Sequence, residues 1–198
     1  MDIKDLTELD SIWDVTFPYI VTQIMDNFSN DHGSVLEMGP FSGGVAVEMA
    51  KQYPGLDITI AEENTEVAEY IRGKISACGF NDIQVKRMEM DNLAFGEAEF
   101  DLVIFRGALF FMHKMEGVLG EICRVMKKGG FAIVGGGHGK GVPRHVIERI
   151  SPELRRLHAK LGGRKVSAAE LQAAVEKSGM SSRCQVVEEG GVWIYFHK

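Results

Sequence analysis

The chain has 198 residues, 45% apolar and 25% charged, enough for one domain with a buried core and short for two. That composition excludes a disordered chain, a coiled coil and a disulfide scaffold. The net charge of −6, from 22 basic and 28 acidic side chains, argues against a protein that coats nucleic acid, because phosphate binding needs a basic surface.

The pattern along the chain predicts a single α/β domain: a Rossmann-like, seven-stranded, mostly parallel sheet with helices on both faces and a C-terminal antiparallel hairpin. Residues 1–33 read as a helical lid. Strand one spans 34–38 and runs into the turn Gly39-Pro40-Phe41-Ser42-Gly43-Gly44. A helix over 45–53 stops at Pro54-Gly55, and 57–61 is strand two. Asn64 caps a helix running to Cys78, with Gly79 closing it. Strands three and four are 83–88 and 101–105. A helix over 116–128 ends at Gly129-Gly130, before strand five at 131–134.

After strand five come two short amphipathic helices, with Ser151-Pro152 making the break between them. Ser167-Ala-Ala-Glu170 is a capping box for the last helix, which ends near Gly179. Strands at 184–187 and 192–196 lie so close in sequence that they must be antiparallel. Functionally, 34–137 reads as a cofactor-binding core, 138–166 as a basic helical insertion and 167–198 as the closing helix and hairpin.

Cys78, Cys123 and Cys184 are odd in number and widely spaced, as expected of reduced residues in a cytoplasmic protein rather than of a metal site. The start of the chain is too acidic for a secretory signal, and no apolar run approaches the roughly 20 residues that span a bilayer.

A glycine-rich turn after strand one, with an acid at the end of strand two, is a nucleotide-type site on the carboxyl edge of a doubly wound sheet. Glu62 follows the turn by the distance expected of a carboxylate that accepts from ribose hydroxyls. A dinucleotide fingerprint would need glycine at 39, 41 and 44; Phe41 takes the middle place, which counts against NAD. Tyr70 and Lys74 mimic a reductase pair but sit on the helix after strand two, away from any substrate.

Val35-Leu-Glu-Met-Gly-Pro-Phe-Ser-Gly43 resembles the first motif of class I S-adenosylmethionine-dependent methyltransferases. Ile58-Thr-Ile-Ala-Glu62, Arg87-Met-Glu89-Met, Phe100-Asp-Leu-Val-Ile-Phe-Arg-Gly and Ile122-Cys-Arg-Val-Met-Lys-Lys-Gly-Gly130 are similar to the family's next four segments, in order. The likeness is strongest to the small-molecule, type 11-like branch.

The resemblance implies that Gly39, Gly43 and the backbone between them hold the methionine part of the cofactor and that Glu37 accepts from its ammonium. Glu62, with Glu63 beside it, would serve the ribose. Glu89 and the Met90 N–H would serve the adenine, while Phe105 and Arg106 would floor the pocket beside the sulfonium. Phe41 stands where the family usually has glycine, so its ring must point outward or cover the methionine part.

Methyl transfer rests on alignment and exclusion of water, and a base is needed only if the acceptor arrives protonated. His113 and His138 are the candidate bases, in the loops after strands four and five. Tyr19, Phe110, His138, Arg155 and Arg156 are the candidate acceptor contacts. Residues 138–165 carry eight basic side chains against two acidic, a net of +6, which points to an anionic small-molecule acceptor or to a solvated basic face. The alternatives are a non-catalytic S-adenosylmethionine-binding or partner-binding protein of the same fold, and an RNA or protein methyltransferase.

Overall fold

The computed structural model describes residues 2–112, 114–178 and 183–198. Seven strands make one sheet in the order β3-β2-β1-β4-β5-β7-β6. They are β1 (His32–Met38), β2 (Gly55–Glu62), β3 (Gln84–Arg87), β4 (Phe100–Arg106), β5 (Met126–Gly137), β6 (Cys184–Val187) and β7 (Gly191–His197). The first five run parallel, and β7 is antiparallel to both β5 and β6.

Alternation along the strands divides the interior into two cores, because successive side chains point to opposite faces. Val35, Leu102, Ile104 and Ile133 face one core with α1 (Ile3–Trp13), α2 (Phe17–Phe28), α3 (Gly44–Gln52), α4 (Thr65–Ala77) and α6 (Arg144–Lys160). Leu36, Val103, Phe105 and Val134 face the other, with α5 (Glu116–Val125) and α7 (Ala168–Ser178). β1 and β4 are neighbours although β2 and β3 come between them in sequence. Their carboxyl ends therefore border the switch point where open α/β sheets bind ligands.

Local signals set the ends of these elements. The Asn64 side chain accepts from the N–H groups of Glu66 and Val67 to start α4. Ser167 and Glu170 exchange the two hydrogen bonds of a capping box, at 2.8 and 3.2 Å. The expected end of the last helix at Gly179 lies outside the described residues.

Two expectations are corrected. The segment 144–160 is one helix running through Pro152, because Val146, Ile150, Leu154 and Leu157 form a single buried stripe across the proline. The helix α5 stops at Val125, not at Lys128, because Met126 is already paired with Phe100 in the sheet. The Lys198 ammonium donates to the carbonyls of Cys123 and Met126, at 2.8 and 2.7 Å, and satisfies the freed end of α5.

The N-terminal helices are fastened on two sides. Asp5 and Glu8 of α1 pair with Lys160 and Arg156 of α6, at 2.7 and 3.1 Å. Asp10 accepts from Lys74 at 2.6 Å and from the Tyr70 hydroxyl at 2.9 Å. No helix among the described residues is long and apolar enough to cross a membrane.

Candidate functional site

The turn after β1 is held by the strand that precedes it. Glu37 is fully buried, and its Oε2 accepts from the N–H groups of Gly43 and Ala46, at 2.9 and 3.1 Å. Gly39 and Gly43 both stand at φ +97, a backbone region that glycine enters without steric cost. The other Glu37 oxygen, Oε1, has no partner among the described residues. Burial outweighs the two donors and the nearby Arg106 and Lys74 charges, and lifts this carboxyl from 4.5 to about 7.

Glu62 repeats the arrangement at the end of β2. It is 1% exposed, its Oε1 accepts from the Asn64 N–H at 2.8 Å, and its Oε2 has no partner among the described residues. Burial again raises the carboxyl to about 7. Two buried acids thus flank one end of the sheet, each with one oxygen held by backbone and one left over. A buried acceptor without a donor costs free energy that a ligand's N–H or O–H would recover. Ammonium and hydroxyl groups are the donors such oxygens suit.

Beside the turn, at the ends of β4 and β5, lies a cavity of about 680 Å³. Its wall is largely apolar and comes from distant parts of the chain: Leu9 and Trp13 of α1, Phe41 of the turn, Phe110 and Phe111 after β4, and Leu154 of α6. Arg106 lines it, 3% exposed, with its guanidinium 4.7 Å from the Trp13 ring centroid. His138 lines it too, its ring 5.1 Å from Trp13 and its Nε2 without a partner among the described residues. Burial, then the Arg106 charge, lowers the His138 imidazole below its usual value, so the ring is neutral near pH 7.

The loop carrying His138 is anchored by Gln23. Its Oε1 accepts from the Lys140 N–H at 2.8 Å, while its Nε2 donates to the Glu189 carbonyl at 3.1 Å and the Tyr195 hydroxyl at 2.6 Å. A buried amide with its bonds made holds a loop in one position.

The cavity gathers Phe41, Arg106, Phe110, His138 and Arg155 from among the expected site residues. The Phe41 ring does not point outward: it is 4% exposed and packs 5.3 Å from Phe111. A Cβ on Gly107 would meet that ring at 2.8 Å, so only glycine fits opposite it. Phe105 lies beneath Gly39, buried.

Glu63 and Glu89 are exposed, and Met90 is buried after β3. Tyr19 is half-buried with its backbone against Gly139, and it does not line the cavity. Arg156 is also outside the cavity, paired with Glu8 and Glu153 on the surface. His113 lies outside the described residues.

Trp13 and His158 were not singled out from the sequence. His158 shares with Ser151, Leu154 and Arg155 the face of α6 that lines the cavity, a helical spacing that by itself does not say which face meets the cavity. Trp13 carries no local signal, since its partners are Arg106 and His138.

Residues 35–130 match a family model described as a methyltransferase domain. No curated protein matches the chain. Among solved structures, a candidate S-adenosyl-L-methionine-dependent methyltransferase from Methanococcus maripaludis is 25% identical, with TM-score 0.85 over 100% of this chain and 93% of that one. A SAM-dependent methyltransferase from Aquifex aeolicus is 17% identical, with TM-score 0.70 over 99% and 97%. PigF with SAH is 21% identical, with TM-score 0.65 over 90% of this chain and 54% of that one. The last two likenesses are of fold.

Proposed function

Residues 35–130 belong to the class I S-adenosylmethionine-dependent methyltransferase family, and from that premise we propose an enzyme that methylates a small-molecule acceptor seated in the cavity. The cofactor of the family is S-adenosylmethionine, and the residues present suit it. The unpartnered oxygens of Glu37 and Glu62 would take its ammonium and a ribose hydroxyl, with the backbone of the turn against the methionine part. When bound, it supplies an electrophilic methyl group on a sulfonium, with a neutral thioether as leaving group.

The chain's own work is then positioning. Trp13, Phe41, Phe110 and Phe111 exclude water and hold the acceptor's body. With the cofactor bound, this seating would point the acceptor's lone pair at the methyl group that the cofactor supplies. A proton displaced from the acceptor passes to His138 Nε2, which is neutral and unpartnered. The observation that carries this reading is that Phe41 belongs both to the glycine turn and to the cavity wall, so cofactor and acceptor sites adjoin.

The α1 helix acts as a lid, contributing Leu9 and Trp13 to the wall while Asp10 ties it to α4. Calorimetry with S-adenosylhomocysteine, then transfer of a labelled methyl group from S-adenosylmethionine into a metabolite extract, tests the proposal. Binding followed by label in a small molecule is expected. Absence of binding overturns the enzyme reading, and binding without transfer leaves a non-catalytic cofactor-binding protein.

A further inference from the structure

Arg106 is a buried cation most of whose N–H groups make no hydrogen bond among the described residues. It is 3% exposed, and its only hydrogen bond among the described residues is a long one, 3.5 Å from Nη1 to the Phe41 carbonyl. Its Nε has no partner among the described residues. Two carboxylates lie within electrostatic range, Asp10 and Glu37; one oxygen of each is engaged elsewhere, and the other, Asp10 Oδ1 and Glu37 Oε1, makes no hydrogen bond to the guanidinium. Asp10 Oδ2 accepts from Tyr70 and Lys74, and Glu37 Oε2 from Gly43 and Ala46.

Aromatic rings pack on the guanidinium, Trp13 at 4.7 Å and Phe17 at 5.3 Å. They favour a cation there but offer no acceptor for its N–H groups. A buried guanidinium held by ring faces, with donor capacity to spare, is built for a planar anion that accepts two parallel bonds.

Resting on the methyltransferase reading, we propose that the acceptor is an aromatic carboxylic acid whose carboxylate is anchored by Arg106. Trp13, Phe41, Phe110 and Phe111 supply stacking surface for a flat, apolar body, and the cavity's size admits one or two fused rings. Arg155 and Lys165 also line the cavity and have no carboxylate within 4.0 Å among the described residues. These two assist capture from solvent, while the buried group confers the selectivity.

The test uses naphthoate and its neutral isostere naphthamide, titrated by calorimetry into the full chain saturated with S-adenosylhomocysteine. Naphthoate is expected to bind about tenfold or more tightly than the amide. That preference should survive a rise from about 0.1 to about 0.5 M sodium chloride, since salt screens surface charges far more than a buried one. Arg106→Gln, titrated at a concentration of S-adenosylhomocysteine that still saturates the variant, should abolish the preference. The double variant Arg155→Gln, Lys165→Gln should keep it.

Equal binding of acid and amide overturns the proposal, as does a preference that disappears with salt or in the double variant, which would place the anchor at the rim. An Arg106→Gln protein that loses S-adenosylhomocysteine instead would assign Arg106 to the cofactor's own carboxylate and equally overturn it. If that variant does not fold, the salt series and the double variant on the native Arg106 background decide. Failure of the unmodified protein to bind S-adenosylhomocysteine would sink the underlying function, a result distinct from all of these.

Discussion

Replacing Glu37 with glutamine is expected to stabilise the unliganded protein above neutral pH and to weaken its hold on the cofactor. The Glu37 carboxyl binds its proton more tightly folded, at about 7, than in the ordinary range of 4.5. Its burial therefore costs nothing below pH 4.5, and stability falls as pH rises through the folded value. At about 1.4 kcal/mol per pH unit, the loss is about 3 kcal/mol by pH 8.

Glutamine keeps an amide oxygen for the Gly43 and Ala46 N–H groups and carries no charge. It also turns the unpartnered Oε1 position into an unpartnered N–H, which returns about 1–2 kcal/mol of the gain. The variant should thus be more stable at pH 8 by about 1–2 kcal/mol, or about 2–8 °C in Tm for a domain of this size. At pH 5 it should show no gain. Glu62 titrates identically in both proteins, so its contribution cancels in the difference. Thermal unfolding followed by circular dichroism between pH 5 and 8 measures the effect, and S-adenosylhomocysteine titration at pH 8 should show about a tenfold loss of affinity. Melting temperatures that change in parallel with pH in the two proteins would refute the argument.

The lid tie is tested by a cycle of Asp10→Asn and Lys74→Met in urea. Asp10 is 3% and Lys74 17% exposed at the side chain, so a coupling of about 1–3 kcal/mol is expected, and additivity would remove Asp10 as a latch. Pro152→Ala should raise stability by about 1–3 kcal/mol, because a proline inside α6 takes away one intrahelical hydrogen bond; a fall would show that α6 depends on the proline's bend. His138→Gln should lower kcat by about a hundredfold or more. It should also remove an acid limb that, with the imidazole lowered by burial and then by Arg106, lies below the usual histidine value. An unchanged pH profile would exclude His138 as the base.

The sheet was legible because each of its signals is local. Apolar β-branched runs marked the strands, Asn64 and the Ser167–Glu170 box marked helix starts, and the short Glu188–Gly191 connection forced the antiparallel hairpin. The glycine turn and Glu62 were legible for the same reason, since a tight turn and an acid at a strand end are short-range requirements. What escaped was settled by partners distant in sequence. Pro152 reads as a break until the buried stripe from Val146 to Leu157 is seen to need one helix. The end of α5 is set by strand pairing and by Lys198, far along the chain. Tyr70 and Lys74 mimic a catalytic pair by helical spacing, and that spacing is what lets both reach Asp10 from one face of α4.

The basic segment 138–165 shows why a charge count is weaker evidence than a partner count. Five of its eight cations are ion-paired: Lys140 with Glu189, Arg144 with Glu148, Arg156 with Glu8 and Glu153, Lys160 with Asp5, and Arg164 with Glu170. Arg156 and Lys160 clamp α6 to the lid helix, and Arg164 braces the start of α7. Exposed pairs of this kind contribute at most about 1 kcal/mol each, yet they neutralise most of the field that a +6 segment would otherwise project. The positive charge left to meet a ligand in the cavity is that of Arg155 and Lys165 from the segment and Arg106 from β4. Arg106 lies outside the basic segment, in a strand otherwise chosen for burial. There its guanidinium lines the cavity with most of its N–H groups unbonded among the described residues, which makes one buried guanidinium a stronger indication of an anionic acceptor than all eight cations counted from the sequence.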